Sequence, residues 1–397
     1  MKIKNAVVAG VMAFGFSQFA NAQGYSFVDL GTLGGEFSHG YEINDLGQVV
    51  GMSTSAHGAV ATIWNGGVAS QIVTSRIGVT RSEAFGINNL GQIVGFERTV
   101  AERNTAVAWS GGSTTVLPWG TSNLNKMVSA INDHGTVAGW DSVAVVWKDG
   151  VRVPLSTPTV GVNYSGPPPI YTQAYDINNS GQVVGVTIHP VDPYGSLATL
   201  WSNGVGTILE SLEPTRGSGA KAINSLGVIA GYSFSASGSR ATKWQGGSIV
   251  DLGIQGGDSW AAGLNDIGQI IGGFSTDLGI NHSFLWDDGN FIDLNTVAFA
   301  NDSQGWTLLG VHDINNLGQI LGRAVNKQGH EHAVLLNPCG SCAPYVPPPI
   351  VVIDPPPIID PPPVTTPVPE PETYAMLLAG LGLLGLFAKR RRQKLNA

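Results

Sequence analysis

This sequence contains little charge, and most of that charge is acidic. Charged residues make up 12% of the 397 residues, and the formal net charge is −8. Seven of the 20 basic residues lie within the first four or the last nine positions, which leaves 13 in the body against 26 acidic residues once Glu370 and Glu372 are set aside. Because binding to a phosphate backbone requires clustered Lys and Arg, this composition argues against a nucleic-acid partner.

Cysteine is also scarce, and familiar catalytic patterns are missing from the sequence. Cys339 and Cys342 form a Cys-Gly-Ser-Cys step without the βαβ context of a thioredoxin motif and without further zinc ligands nearby. They either form a small local disulfide or stay as two thiols. The cluster His330-Glu331-His332 precedes a repeated alanine and is interpreted as part of a strand. No nucleophile elbow, phosphate-binding loop or zinc pattern occurs, so we expect no catalytic residue, metal ligand or cofactor.

The first 22 residues have the features of a secretory signal peptide. Lys2 and Lys4 precede an apolar run, and Ala20-Asn21-Ala22 supplies a small-x-small cleavage site. We therefore predict export, with the mature chain beginning at Gln23. An uncleaved anchor or a buried helix is the alternative.

The C-terminal part of the sequence contains a linker and then an apolar segment. The linker, 338–367, holds the two cysteines and a proline-rich run, which favours extended polyproline II. An apolar stretch over 374–388 follows. As a helix it would be about 22 Å long, shorter than the ~30 Å hydrocarbon core. The basic cluster directly after it is typical of a stop-transfer signal and predicts a transmembrane helix with the body outside. This cluster consists of Lys389, Arg390, Arg391 and Arg392.

Pro369-Glu370-Pro371, followed by the apolar stretch and the basic cluster, resembles the PEP-CTERM protein-sorting signal. The resemblance covers about residues 368–393. It implies processing near the motif by an exosortase, a membrane-embedded cysteine protease, in a Gram-negative host that makes exopolysaccharide. The protein would be anchored in the inner membrane before processing and then reach the cell surface or the extracellular space. An ordinary tail anchor with a chance Pro-Glu-Pro is the alternative.

Between these ends the sequence repeats the unit Ile-Asn-x-x-Gly seven times, with one Leu in place of Ile and spacings of 44, 44, 46, 46, 41 and 50 residues. An Asp, Asn or Ser follows each asparagine, and a glycine stands three residues after it, which predicts a tight turn with a positive φ at the glycine. A calcium site would need several carboxylates at fixed spacing, so we interpret these positions as turn chemistry. The repeated asparagines are Asn44, Asn88, Asn132, Asn178, Asn224, Asn265 and Asn315.

A second hairpin follows in each repeat. Its first strand ends in Trp in six copies and in Leu336 in the seventh, and a small residue stands three positions earlier. Four strands per repeat of about 45 residues predict a seven-bladed, all-β propeller over 23–337, with the tryptophans packed inside the blades. A β-solenoid or an open array is the alternative. The tryptophans are Trp64, Trp109, Trp147, Trp201, Trp244 and Trp286.

The body also resembles the extracellular HAF repeat family. Asp29-Leu30-Gly31-Thr32-Leu33-Gly34-Gly35 and then Ile43-Asn44-Asp45-Leu46-Gly47-Gln48-Val49-Val50-Gly51 are close to its consensus. The resemblance covers about residues 27–336 and implies an extracellular β-repeat protein without an assigned chemistry.

Two predictions concern the assembly of the repeats. The seventh copy lacks a fourth strand, so we expect Tyr25 to Leu30 to pair beside His332 to Leu336 and close the ring. The variable gaps fall on the side opposite the Asn turns, and aromatic loops on a rigid scaffold are plausible binding surfaces. The two largest gaps place four residues near one blade boundary as a candidate binding face: Tyr164, Tyr171, His189 and Tyr194.

Two functional classes remain open. The first is a surface or matrix protein, not an enzyme, that binds exopolysaccharide or another surface protein. The second is a secreted glycan hydrolase or lyase, which a cluster of unsatisfied carboxylates in the central channel would favour.

Overall fold

The computed structural model describes residues 24–56, 58–102, 104–120, 126–158, 171–188, 195–297 and 305–339. Within these residues the chain forms seven antiparallel sheets of four strands each. The predicted seven-bladed β-propeller is therefore confirmed. The predicted signal peptide and the C-terminal sorting segment lie outside the described residues.

The first two strands of each blade form the hairpin that carries the Ile-Asn unit. The first strand lies nearest the propeller axis and contacts the first strands of the neighbouring blades. These inner strands are β2 (Ser38–Ile43), β6 (Val79–Ile87), β10 (Met127–Ile131), β14 (Tyr171–Ile177), β18 (Ser218–Ile223), β22 (Ser259–Leu264) and β26 (Thr307–Ile314). The second strands are β3 (Val49–Ser55), β7 (Ile93–Thr99), β11 (Val137–Trp140), β15 (Val183–Ile188), β19 (Ile229–Ser235), β23 (Ile270–Ser275) and β27 (Ile320–Val325).

The third and outer strands form the second hairpin. The third strands are β4 (Gly58–Asn65), β8 (Thr105–Ser110), β12 (Ala144–Lys148), β16 (Ser196–Ser202), β20 (Gly238–Gln245), β24 (Asn281–Asp287) and β28 (Glu331–Cys339). The outer strands are β5 (Val68–Gln71), β9 (Ser113–Val116), β13 (Val151–Pro154), β17 (Val205–Ile208), β21 (Ser248–Asp251), β25 (Asn290–Asp293) and, in the last blade, β1 (Gly24–Asp29). One short helix, α1 (Leu294–Val297), follows β25.

The repeated Asn builds the turn of the first hairpin. In blade 1 the side-chain Oδ1 of Asn44 accepts the backbone N–H groups of Leu46 and Gln48, at 3.1 and 2.9 Å. Gly47 has a φ of 74°, which L-residues with a side chain rarely adopt. The predicted turn and its positive-φ glycine are therefore confirmed.

The small residue of the third strand lies where neighbouring blades meet. Ala61 is fully buried, and its N–H donates to Ser82 Oγ on the inner strand of the next blade at 2.9 Å. The same bond recurs from Ala198 to Ser218 and from Ala241 to Ser259. The six repeated tryptophans are buried beside these positions, which confirms that they pack in the blade cores.

The ring closes within blade 7, where β28 pairs with β1. Phe27 lies opposite Leu336, and Asp29 lies opposite Val334. This confirms the predicted closure. Leu336 pairs with Ile320 as Trp64 pairs with Val49, so it occupies the position of the missing tryptophan.

Candidate functional site: the axial channel

The Ile-Asn turns of all seven blades meet at one end of the propeller axis, which we call the Asn face. They surround a mouth of about 180 Å³ that is lined by the last residues of the inner strands and by the turns. The inner strands bring these residues together because each strand runs toward this face and ends directly before its asparagine.

The asparagine side chains form a closed ring around this mouth. Each Nδ2 donates to the backbone carbonyl of the asparagine in the next blade, at 2.9 to 3.1 Å. The last bond, from Asn315 to Asn44, joins blade 7 to blade 1 at 3.0 Å. Because these amides are buried, their hydrogen bonds satisfy backbone carbonyls that would otherwise be costly to bury.

A second ring lies closer to solvent and consists of the residues that follow the asparagines. Its members alternate between acid and amide over most of the circle, and the backbone N–H of one donates to the side chain of the next, as from Asp45 to Asn89 at 2.9 Å. Of the seven seams, all within the described residues, six carry this bond, and the seam between Asn179 and Ser225 does not because the Ser hydroxymethyl is short. The ring members are Asp45, Asn89, Asp133, Asn179, Ser225, Asp266 and Asn316.

Three carboxylates line the channel next to the asparagine ring, on the side away from the Asn face. Asp313 Oδ2 accepts the N–H of Ile43 at 2.9 Å, so it links blade 7 to blade 1. Glu42 and Asp176 accept the equivalent N–H of the next blade, at 2.9 and 2.8 Å. Each carboxylate therefore holds two blades together.

Burial changes the protonation of this trio. It raises the pKa of Asp313 to about 7 and the pKa of Asp176 above its usual range. Burial also raises the pKa of Glu42 well above its usual range, and the nearby charges of Asp313 and Asp176 add to this effect. Near neutral pH the trio therefore carries less negative charge than three solvated carboxylates would. Over the described part of the chain, no group of three or more His, Cys, Asp or Glu side chains is arranged to hold a metal ion.

Aromatic and imidazole rings pack against one another along the inner strands, further from the Asn face. The ring of His39 stacks on Tyr41 with centroids 4.5 Å apart, and it lies 4.6 Å from the ring of His312. Burial lowers the pKa of His39 to about 4 and that of His312 to about 3, and the charge of Arg323 lowers both further. Both imidazoles are therefore neutral at physiological pH. Elsewhere around the axis, the Nζ of Lys221 on β18 lies 4.1 Å from the centroid of the Tyr175 ring on β14.

The structure describes only part of the predicted sites. Tyr171 is the half-buried first residue of β14, whereas Tyr164, His189 and Tyr194 lie outside the described residues, so the binding face stays a prediction. Cys339 ends β28, but Cys342 lies outside, and their pairing also stays a prediction. The predicted cleavage residues Ala20 and Ala22, the Pro369-Glu370-Pro371 motif and the basic cluster lie outside as well.

The carboxylate trio was not predicted from the sequence, although the repeat contained a signal for it. The residue directly before the Ile-Asn unit is small in four copies and acidic in three. Aligning the copies at this position would have singled out the three acids. The small residues make room for their neighbours: a side chain at Gly86 would crowd Glu42.

Comparisons with known proteins concern the C-terminal segment and the fold separately. Residues 367–392 match the PEP-CTERM protein-sorting motif, which confirms the predicted resemblance at this end and implies export and processing by an exosortase. No curated protein sequence matches this chain. Among the described residues, no helix has the length and apolar character needed to cross a membrane, and the predicted span lies outside them.

Several solved structures are similar in backbone at low sequence identity. YCF48 bound to D1 peptide has a TM-score of 0.44 and 11% identity, over 81% of this chain and 99% of that one. A GH74 xyloglucanase from Xanthomonas campestris has a TM-score of 0.43 and 12% identity, over 77% of this chain and 44% of that one. TolB from Acinetobacter baumannii has a TM-score of 0.37 and 10% identity, over 74% and 64%. At these values none of them supports a transfer of function to this chain.

Proposed function

We propose that this chain is an exported cell-surface or matrix protein whose propeller is a binding scaffold for extracellular polysaccharide or for another surface protein. The sorting motif at residues 367–392 supports its destination. The scaffold role rests on one observation: the polar side chains of the channel are already engaged in hydrogen bonds that join neighbouring blades. The seven ring asparagines and the three channel carboxylates all accept or donate hydrogen bonds between blades.

Sorting is tested by changing the motif itself. Replacing Pro369-Glu370-Pro371 by three alanines should keep the body associated with the inner membrane, because the processing enzyme would no longer recognise its signal. Replacing Pro361-Pro362-Pro363 by alanines is the matched control, since it changes the linker and leaves the motif intact. Immunoblots of membrane and extracellular fractions give the readout. Unchanged release from the motif variant would contradict exosortase processing.

Binding is tested on a glycan array with the exported full-length chain. We expect binding to a polysaccharide, and we expect it to fall when Tyr164, Tyr171 and Tyr194 are all changed to alanine. Changing the same three residues to phenylalanine is the control, because it keeps the rings that stack on sugars. An alanine variant that binds as well as the parent chain would remove this face from the proposal.

A secreted glycan hydrolase or lyase is the second candidate, and only the raised pKa values of the channel trio speak for it, because all three carboxylates already form hydrogen bonds between blades. Carboxyl groups with raised pKa values are common at catalytic sites, and these three lie in one channel. Asp313→Asn should then abolish the release of new reducing ends from a polysaccharide while leaving the protein folded. If the parent chain releases none, or if the variant releases as much as the parent, the scaffold role is favoured.

A further inference from the structure

A run of exposed aliphatic side chains surrounds the mouth on the Asn face. They are the tip residues of the Ile-Asn turns, two positions after the asparagine, in five successive blades. Their exposed fractions are 75% for Leu226, 66% for Ile267, 62% for Leu317, 67% for Leu46 and 71% for Leu90. We call these five residues the apolar crescent.

The turn does not require an aliphatic residue at its tip. In blades 3 and 4 the tip residues are His134 and Ser180, and both are exposed. Each donates its N–H to the side chain of its own asparagine at 3.1 Å, as Leu46 does. The same turn therefore forms with a polar tip, and the five aliphatic tips need an explanation other than folding. Exposed apolar patches on soluble domains often mark interaction sites.

The crescent is also held in place. Each tip directly follows a member of the outer ring, and the ring members of these blades are hydrogen bonded to one another at 2.7 to 2.9 Å. Little conformational entropy would be lost when a partner covers a surface that is already ordered.

Charge restricts what this partner is. Asp45 and Asp266 lie on the mouth beside the crescent, Asp133 lies on the mouth in blade 3, and the described residues that line the mouth include no Lys or Arg. A second copy would bring two acidic mouths together, and an anionic bilayer would also be repelled. We propose that the Asn face binds a segment of another protein in which a basic side chain, flanked by aliphatic residues, enters the acidic mouth while its neighbours cover the crescent. This inference rests on the proposed scaffold function and names a surface and a partner class for it.

The test uses short fluorescein-labelled peptides and the full-length chain in a non-ionic detergent, with detergent alone as the blank. The probe has one central arginine with two leucines on each side. We expect a rise in anisotropy for this probe, and we expect its affinity to fall about tenfold or more when Leu46 and Leu317 are changed to serine. Asp45→Asn together with Asp266→Asn should weaken it comparably, because the arginine loses charge-assisted bonds. Peptides with glutamate in place of arginine, or serine in place of leucine, should not bind.

Two further variants make the result specific to this face. Leu278→Ser removes a leucine that is 86% exposed, more than any residue of the crescent. This leucine lies in the Thr276–Ile280 turn that joins β23 to β24 at the opposite end of the blade, so the change should leave binding unchanged. Ser180→Leu extends the crescent into blade 4 and should strengthen binding. The substituted leucines and Ser180 are exposed, and Asn keeps an acceptor oxygen at positions 45 and 266, so circular dichroism should show an intact fold.

Three outcomes would overturn the proposal. One is no binding, or binding that the crescent and mouth variants leave unchanged. Another is self-association of the chain in sedimentation that the crescent variants abolish, which would assign the face to a second copy. The third is crescent-dependent binding to phosphatidylcholine vesicles, which would assign it to a bilayer. Failure of the peptide with retained glycan binding would leave the scaffold function standing and remove only this inference.

Discussion

Blade 6 and blade 7 reach the same four-stranded sheet by different routes. In blade 6 a turn through Asp288 and Gly289 joins the third strand to the outer strand, and both turn residues have positive φ. In blade 7 no covalent turn joins these strands, because β28 and β1 come from opposite ends of the propeller sequence. The local contacts are nevertheless alike: His282 pairs with Asp293 at 2.7 Å in blade 6, and His332 pairs with Asp29 at 2.8 Å in blade 7.

The difference lies in the length and burial of the outer strand. The β24–β25 ladder pairs four residues, whereas the β28–β1 ladder pairs six, from Gly24 opposite Cys339 to Asp29 opposite Val334. Tyr25 packs in the blade 7 core with Trp306 and Leu308, while the outer strand of blade 6 exposes Phe291. A longer ladder and a buried side chain thus take the place of the covalent turn, and the comparison predicts where the ring is most easily broken.

Removing β1 should have the largest effect. Deleting residues 24–30 leaves β28 as an open edge and uncovers the apolar core of blade 7. The loss of Tyr25 and Leu30 alone, both buried, should lower the free energy of unfolding by more than about 4 kcal/mol. Urea unfolding followed by Trp fluorescence measures this change.

Strand complementation is the control for that deletion. A synthetic peptide of residues 24–30 should restore stability as its concentration rises, because it binds the folded state only. The same peptide with Tyr25 replaced by serine should restore less. A deleted chain that unfolds like the parent would show that β1 does not hold the ring closed.

Single substitutions in the two outer strands sharpen the comparison. Tyr25→Ala should lower the free energy of unfolding by about 3 kcal/mol, because it leaves a cavity in the blade 7 core. Phe291→Ala should lower it by less than about 1 kcal/mol, since that ring is 44% exposed. Tyr25→Phe is the matched control: the Tyr25 hydroxyl is buried without a hydrogen-bond partner, so its removal should be neutral or stabilising. Equal losses for the two alanine variants would contradict the compensation described above.

Much of this architecture could be predicted because the repeat is local. The Asn turn, its glycine and the buried tryptophan follow from residues close together in the chain, and the composite blade follows from counting strands. The asparagine ring could not be predicted in this way, because Asn315 bonds to Asn44 across the whole length of the propeller. The channel trio could have been found by aligning the repeats at the position before Ile-Asn, but the partner of each acid, such as Ile43 for Asp313, is visible only in the folded ring.

The stability that Asp313 contributes where it joins blade 7 to blade 1 should also depend on pH. The pKa of Asp313 is raised to about 7 in the folded protein from 3.8, so the folded state binds more protons between these values. Its contribution to stability is therefore present at low pH and lost as the pH rises toward 7, by up to about 1.4 kcal/mol per pH unit.

Asp313→Asn removes this titrating group while its amide oxygen can still accept the N–H of Ile43. It also removes a charge that raises the pKa of Glu42, so the variant reports the titration of the coupled pair. His39 and His312 give the opposite pH dependence. Burial lowers their pKa values, so the folded protein loses stability as the pH falls and these histidines would become protonated. The difference in unfolding free energy between parent and variant, measured from pH 4 to pH 7.5, removes their shared effect. A difference that stays constant over this range would contradict a raised pKa for Asp313.

The smallest effect is expected at the histidine–aspartate pairs of the two blades. The side chain of His332 is 14% exposed and that of Asp29 is 33% exposed, so solvent screens the pair and His332→Ala should lower the free energy of unfolding by about 0.5–1 kcal/mol. His282→Ala breaks the equivalent pair in blade 6, whose side chains are 25% and 20% exposed, and should have a similar effect. Urea unfolding of both variants, with each histidine also changed to glutamine as a control for lost packing, measures the difference. If the ladder and Tyr25 close the ring, the two alanine variants should agree. A loss at His332 several times that at His282 would instead show that this pair, which in blade 7 joins two strands without a covalent turn, contributes directly to closure.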